Sequence, residues 1–188
     1  MKSLNIILVG FMGTGKSTVG RMVADRLKRP FIDMDEVIEE RAGKRISDIF
    51  SDDGEECFRK MERELVQDLS RRQEQVIAPG GGVVLDPENI SDFSRTGIVV
   101  CLHADPETIL KRVSGDTHRP LLENDDKAGA VTELLNKRRH LYDAIPWRID
   151  TTNMTQNQVA DRVIEILDDH ASSGESNSLN SSEGSLSS

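Results

Sequence analysis

The apolar run Leu4-Asn5-Ile6-Ile7-Leu8-Val9 leads without a break into Gly10-Phe11-Met12-Gly13-Thr14-Gly15-Lys16-Ser17. The second stretch fits G-x-x-x-x-G-K-[ST], with Gly10, Gly15, Lys16 and Ser17 in the fixed places. Glycine reaches positive φ and carries no Cβ, so successive backbone N–H groups can turn inward on an anion. A helix beginning near Lys16 adds its own unpaired N–H groups and a partial positive charge. The lysine offers a flexible ammonium to β and γ phosphates, and the serine hydroxyl can ligate Mg²⁺. The flanks agree: a strand-like run precedes the loop and a helix-like run, 17–27, follows it. The junction therefore predicts a strand, a phosphate-holding loop and a helix, in that order.

The rest of the chain repeats the alternation. Further strand-like runs are Phe31-Ile32-Asp33, Gln75-Val76-Ile77-Ala78, 97–102 and Trp147-Arg148-Ile149-Asp150. Helix-like stretches cover 16–28, 35–42, 55–71, 106–114, 127–143 and 155–168. Short apolar strands alternating with helices predict a parallel sheet covered on both faces. In such sheets ligands sit beyond the carboxyl ends of the strands. The residues that follow the first three strands are the phosphate loop, Asp33-Met34-Asp35 and Pro79-Gly80-Gly81-Gly82. All three are expected at one edge of the sheet.

A length of 188 residues suggests one domain, or one domain with a tail. The segment 170–188 is serine-rich and nearly devoid of apolar residues, so it is expected to be disordered. A net charge of −9 argues against a general nucleic-acid binder while leaving room for a local basic pocket. Cys57 and Cys101 lack metal-ligand spacing and read as reduced thiols. No apolar stretch approaches the roughly 18 residues of a membrane span, and the chain runs into its first strand with no signal peptide. A cytoplasmic protein is expected.

Several residue groups could carry chemistry. Two carboxylates beside a triphosphate can divide the work, one holding Mg²⁺ and the other orienting or deprotonating an acceptor hydroxyl. Asp33 and Asp35 fit that pair, although Asp35 could equally cap the helix that follows. Three consecutive glycines, Gly80–Gly82, suggest a close approach to backbone whose N–H groups could hold a substrate oxygen. Arg59 and Glu62 share a helix face, as a surface pair or as part of a site. The basic run Lys137-Arg138-Arg139 can serve a ligand or simply complement a helix dipole. Residues 112–126 lack periodicity and carry Arg119 in their middle, as a lid that excludes water and neutralises phosphate would.

Taken together, GFMGTGKST (10–18), FIDMD (31–35), GEECFRKME (54–62), GGG (80–82), HRPLL (118–122) and RRHLY (138–142) resemble the shikimate kinase family, in the family's order. The resemblance implies a P-loop fold of the nucleoside monophosphate kinase type: three α/β/α layers around a five-stranded parallel sheet. It implies a single kinase domain over 1–169, with a substrate-binding region at about 33–62 and a lid at about 112–126. The implied reaction transfers the ATP γ-phosphate to the 3-hydroxyl of shikimate, in aromatic amino-acid biosynthesis. The implied partners are shikimate and ATP with Mg²⁺, without nucleic acid or membrane, in a monomer.

Residue roles follow from the same resemblance. Gly13, Thr14, Gly15, Lys16, Ser17 and Thr18 would hold ATP, with Arg119 on its phosphates and Arg112 beside its adenine. Ser17 and Asp33 would serve Mg²⁺. Asp35 would bind the shikimate hydroxyls as the candidate base, making Lys16, Asp35 and Arg119 the catalytic set. Arg59 and Arg138 would pair with the carboxylate, and Gly80, Gly81 and Gly82 would meet the ring through their backbone. Arg138 is preferred to Arg139 because it lies four residues before Tyr142. A related gluconate or nucleotide kinase would share the loop, but Asp35, Arg59, Gly80–Gly82 and Arg138 argue against it. A non-catalytic nucleotide-binding module is opposed by Lys16, Ser17, Asp33 and Arg119.

Overall fold

The computed structural model describes residues 4–113 and 127–179. In chain order the elements are β1 (Asn5–Val9), α1 (Lys16–Leu27), β2 (Phe31–Asp33), α2 (Met34–Ala42), a short α3 (Ile46–Asp48) and a π turn over Ile49–Asp53. Then follow α4 (Gly54–Leu69), β3 (Val76–Ala78), a 3-10 turn over Val83–Leu85, α5 (Pro87–Thr96) and β4 (Gly97–His103). The chain continues through α6 (Pro106–Val113), α7 (Lys127–Asp143), β5 (Trp147–Asp150) and α8 (Gln156–Leu179).

The strands form one sheet in the order β2-β3-β1-β4-β5, and every neighbouring pair is parallel. Alternate residues of each strand serve opposite faces. Ile6 and Leu8 pack with Val100 and Leu102 against Val19 and Val23 of α1 and Val159 and Val163 of α8. Ile7 and Val9 pack with Ile77, Val99 and Cys101 against Met34, Ile38, Phe58, Leu65, Phe93 and Ile109 from α2, α4, α5 and α6. Two apolar cores on one sheet give the three expected layers. The order also places β1 between β3 and β4, the switch point at which an open α/β sheet binds its ligand. The carboxyl ends of β2, β3 and β1 stand side by side, so the three loops after them share one edge.

The structure departs from the sequence-based expectations in three places. Asp33, not Asp35, caps α2: the helix starts at Met34, and the Asp33 side chain accepts from the Asp35 N–H. Helix α5 was not predicted. Its buried face uses Asn89 and Asp92 beside Phe93, so the apolar period is too sparse to read. At the other end α8 runs to Leu179, beyond the expected start of the serine-rich tail. Of the segment expected to form a lid, Arg112 and Val113 end α6, while 114–126, including His118 and Arg119, lie outside the described residues.

Candidate active site

The phosphate loop turns between β1 and α1. Gly15 is the residue before the helix, at φ 95°, a left-handed conformation that a side chain would strain. Gly13 (φ 75°) also needs its small size: a methyl built on it would lie 2.8 Å from Val113 Cγ1 on α6. The Lys16 ammonium folds over the loop and donates to the carbonyl oxygens of Gly10 (2.9 Å) and Phe11 (3.1 Å). Thr14 is buried, and its hydroxyl donates to the same Phe11 oxygen at 2.8 Å. The loop is thus shaped by its own hydrogen bonds, with the lysine at its centre.

Two predicted metal ligands meet directly. Ser17 Oγ donates to Asp33 Oδ2 at 2.6 Å, and Asp33 Oδ1 holds the first turn of α2. Adjacent oxygens around an octahedral Mg²⁺ stand about 2.9 Å apart, given bonds of 2.0–2.1 Å. The Ser17–Asp33 pair therefore fits two neighbouring positions on such an ion. No group of three or more His, Cys, Asp or Glu among the described residues could hold a metal unaided. One carboxylate, one hydroxyl and the ligand's own phosphates suit Mg²⁺, which seldom occupies an all-protein cage.

The three glycines answer a different demand. None of Gly80, Gly81 and Gly82 has positive φ, so turn geometry does not select them. Crowding does. A methyl on Gly80 would lie 2.8 Å from Asp35 Oδ1 and 3.4 Å from Glu62 Oε1; on Gly82, 2.7 Å from Arg59 Cζ. A methyl on Gly81 would lie 3.6 Å from Gly10 O and Met12 N. The run therefore threads between the phosphate loop, the acid after β2 and the arginine of α4.

Arg59 and Glu62 are no mere surface pair. Arg59 Nη1 donates to Glu62 Oε2 at 2.7 Å, and the Glu62 side chain is only 2% exposed. On its other side Arg59 reaches the exposed Glu55 at 3.0 Å. Burial raises the Glu62 pKa; Arg59 and Arg138 pull it back, while Asp35 adds to the rise, and the result is still above the ordinary value. Burial lowers the Arg59 pKa, but the two glutamates outweigh it and the net shift is upward. Four charged groups from β2–α2, α4 and α7 thus share one locality.

Arg138 is 9% exposed, and its Nε has no hydrogen-bond partner among the described residues. Glu62 Oε1 is likewise buried without a partner. One orphan donor and one orphan acceptor in the same locality suit a ligand with complementary groups. Arg139, by contrast, points outward and pairs with Asp143 at 3.6 Å. Tyr142 closes the arrangement, its hydroxyl donating to Gly81 O at 2.6 Å. On the nucleotide side, Arg112 donates to Thr151 Oγ1 (3.0 Å) and Thr151 O (2.9 Å), and to Gly13 O at 3.4 Å. It thereby ties the end of α6 to the phosphate loop and to the segment after β5.

Sequence reasoning left Glu62 open between a surface pair and a site, and gave Tyr142 no role. Both stand inside the motifs FRKME and RRHLY, yet only burial distinguishes them from a surface acid and a core aromatic. A separate cavity of about 290 Å³ lies behind the phosphate loop, between α6, α7 and the ends of β4 and β5. Lys16, Asp35, Arg59 and Arg138 do not line it, so the charged cluster is not in that cavity.

Residues 12–168 match the family model described as shikimate kinase. A shikimate kinase of Thermodesulfovibrio yellowstonii is 44% identical over 161 residues, spanning 86% of this chain and 93% of the relative. Among solved structures, the shikimate kinase of Acinetobacter baumannii in complex with shikimate superposes with a TM-score of 0.84 at 35% identity, covering 89% of this chain and 94% of that one. A gluconokinase of Sinorhizobium meliloti gives a TM-score of 0.63 at 16% identity, covering 94% and 98%, a likeness of fold alone.

Proposed function

The chain belongs to the shikimate kinase family of ATP-dependent phosphotransferases, and from that premise we propose how its residues divide the transfer of the ATP γ-phosphate to the 3-hydroxyl of shikimate. Lys16 moves from the Gly10 and Phe11 carbonyls onto the phosphates, joined by the loop N–H groups from Gly13 to Thr18. Ser17 and Asp33 hold Mg²⁺, which when bound supplies charge neutralisation at the phosphates. Arg112 flanks the adenine, and Arg119, which lies outside the described residues, is assigned to the phosphates.

Asp35 accepts a hydrogen bond from the reacting hydroxyl and takes its proton or fixes its direction of attack. Arg59 and Arg138 receive the carboxylate, since the planar guanidinium matches its two oxygens. The backbone of Gly80–Gly82 lies along the ring, and Glu62 keeps Arg59 in place from beneath. The substrate region at about 33–62 and the glycine run thus lie beside the phosphate loop. A monomer belongs to the same reading, and sedimentation equilibrium checks that. A cytoplasmic location belongs to the same reading; no helix among the described residues is long and apolar enough to cross a membrane.

The observation that carries this reading is the crowding at Gly80–Gly82, where Asp35, Glu62, Arg59 and the phosphate loop all approach one backbone segment. Phosphoryl transfer requires just such proximity of acceptor and donor, because catalysis there is mostly positioning and charge stabilisation. The test offers ATP and Mg²⁺ with shikimate, gluconate or CMP in parallel and reads ADP release. Turnover with shikimate well above the other two is expected. Turnover with gluconate or CMP and none with shikimate overturns the reading.

A further inference from the structure

Tyr142 lies four residues after Arg138 on α7, one turn along the same face. Its hydroxyl donates to the Gly81 carbonyl oxygen at 2.6 Å. The Arg138 guanidinium stands close enough to act on its oxygen. Its ring meets Phe11 edge-on, with centroids 6.5 Å apart and planes at 86°. Phe11 in turn supplies one of the two carbonyls that hold Lys16. One side chain therefore touches the glycine run, the helix carrying the inner arginine and the phosphate loop.

Tyr142 is 5% exposed; its hydroxyl bonds Gly81 and stands beside Arg138, both assigned to the substrate. Burial pushes its pKa up to about 12 against the pull of Arg138, so the phenol keeps its proton and stays a donor at neutral pH. The Arg138 Nε has no partner of its own among the described residues.

We propose that Tyr142 is a positioning residue for shikimate: its hydroxyl fixes the Gly81 peptide beside the Arg138 guanidinium in the mutual orientation that receives the ring and the carboxylate. This rests on the assignment of Arg138 and Gly81 to the substrate under the proposed function. Tyr142 acts through those two groups and need not touch the reacting atoms. Removing the hydroxyl frees the Gly81 peptide to tilt beside the guanidinium. The substrate's charge is then met less well, while the phosphate loop keeps its ring contact.

The experiment compares the parent protein with Tyr142→Phe on shikimate and on its methyl ester, which keeps the hydroxyls without the charge. KM for shikimate should rise about tenfold, as loss of one buried hydrogen bond would give. The preference for acid over ester should shrink by a similar factor, with KM for ATP little changed. A merely structural tyrosine would lower the amount of active protein and leave that preference alone, and an unchanged preference overturns the proposal. A parent protein that does not turn over shikimate would instead overturn the functional reading, and this inference with it.

Tyr142 is the chain's single tyrosine, which gives a readout that requires no substitution. Protein grown with 3-fluorotyrosine carries one ¹⁹F line, from this position. Shikimate should shift that line, and the methyl ester should shift it less. A line that shikimate leaves unmoved overturns the proposal even where the phenylalanine variant fails to fold.

Discussion

Glu62 keeps a carboxylate where almost none of its surface reaches water, with one oxygen on Arg59 and the other unpartnered. Its pKa lies above the ordinary 4.5, first because of burial. A carboxyl raised in the native state binds its proton more tightly there than in the unfolded chain. Its ionisation therefore opposes folding: stability falls as pH rises from 4.5 through the raised native value, and the loss is constant above that. Glu62→Gln removes this titration. Unfolding midpoints measured from pH 4 to pH 7 should show the variant gaining on the parent as pH rises; a constant gap would contradict this. The same variant should lose affinity for shikimate, because Arg59 loses its buried partner, a trade of stability against function at one site.

The two neighbouring arginines of α7 make a sharper comparison at the same scale. Arg138→Ala would leave a carboxylate unmatched in a nearly dry place and should cost about 2–5 kcal/mol in kcat/KM for shikimate. Arg139 sits in an exposed pair, worth at most about 1 kcal/mol, so Arg139→Ala should change the same constant little. Steady-state kinetics on both variants checks the pair, and equal losses would contradict the assignment. The roles of Asp35, Arg59 and Arg138 came from the family resemblance; their residue types alone also fit a helix cap, a surface pair and a dipole complement. Glu62 was left open, because a glutamate three residues from an arginine has the same local pattern whether it faces water or core. Only the packing of α4 against the sheet settles that, and it depends on residues far away in the chain.

Among the elements, the glycine run after β3 shows how a short segment can be defined by what crowds it. Sequence reasoning expected a close approach to that backbone, with a ligand as the visitor. In the structure the visitors are protein groups: Asp35, Glu62, Arg59 and the phosphate loop. Gly82→Ala should push the Arg59 guanidinium aside. Because the arginine is long and flexible the fold should survive, but a displacement near 1 Å costs on the order of a hundredfold in a positioned site. KM for shikimate should rise while KM for ATP holds; an unchanged value for shikimate would show that Arg59 has no place in binding. Strands and long helices were legible because their apolar periods are strong. Helix α5 was not, since Asn89 and Asp92 occupy its buried face, where Asn89 Nδ2 donates to Val83 O and Asp92 pairs with Arg63 at 2.6 Å. A helix that buries satisfied polar groups leaves no apolar stripe to read.

At the scale of the molecule, a chain of net charge −9 must still gather an anionic nucleotide and an anionic acceptor. It does so by topology: the order β2-β3-β1 sets three loop-bearing strand ends side by side, and α4 and α7 bring Arg59 and Arg138 to the same edge. Two arginines are thus brought to one edge of the sheet while the total stays acidic. Strand alternation made the parallel sheet legible, but the order of its strands is a long-range property that no local pattern encodes. The most direct measurement is a crystal structure of the protein with ADP, Mg²⁺ and shikimate. We predict the carboxylate within hydrogen-bond reach of both Arg59 and Arg138, the 3-hydroxyl beside Asp35 and turned toward the β-phosphate, and Lys16 on the phosphates. A shikimate molecule lodged away from the Gly80–Gly82 backbone, or one whose carboxylate meets neither arginine, would contradict the account.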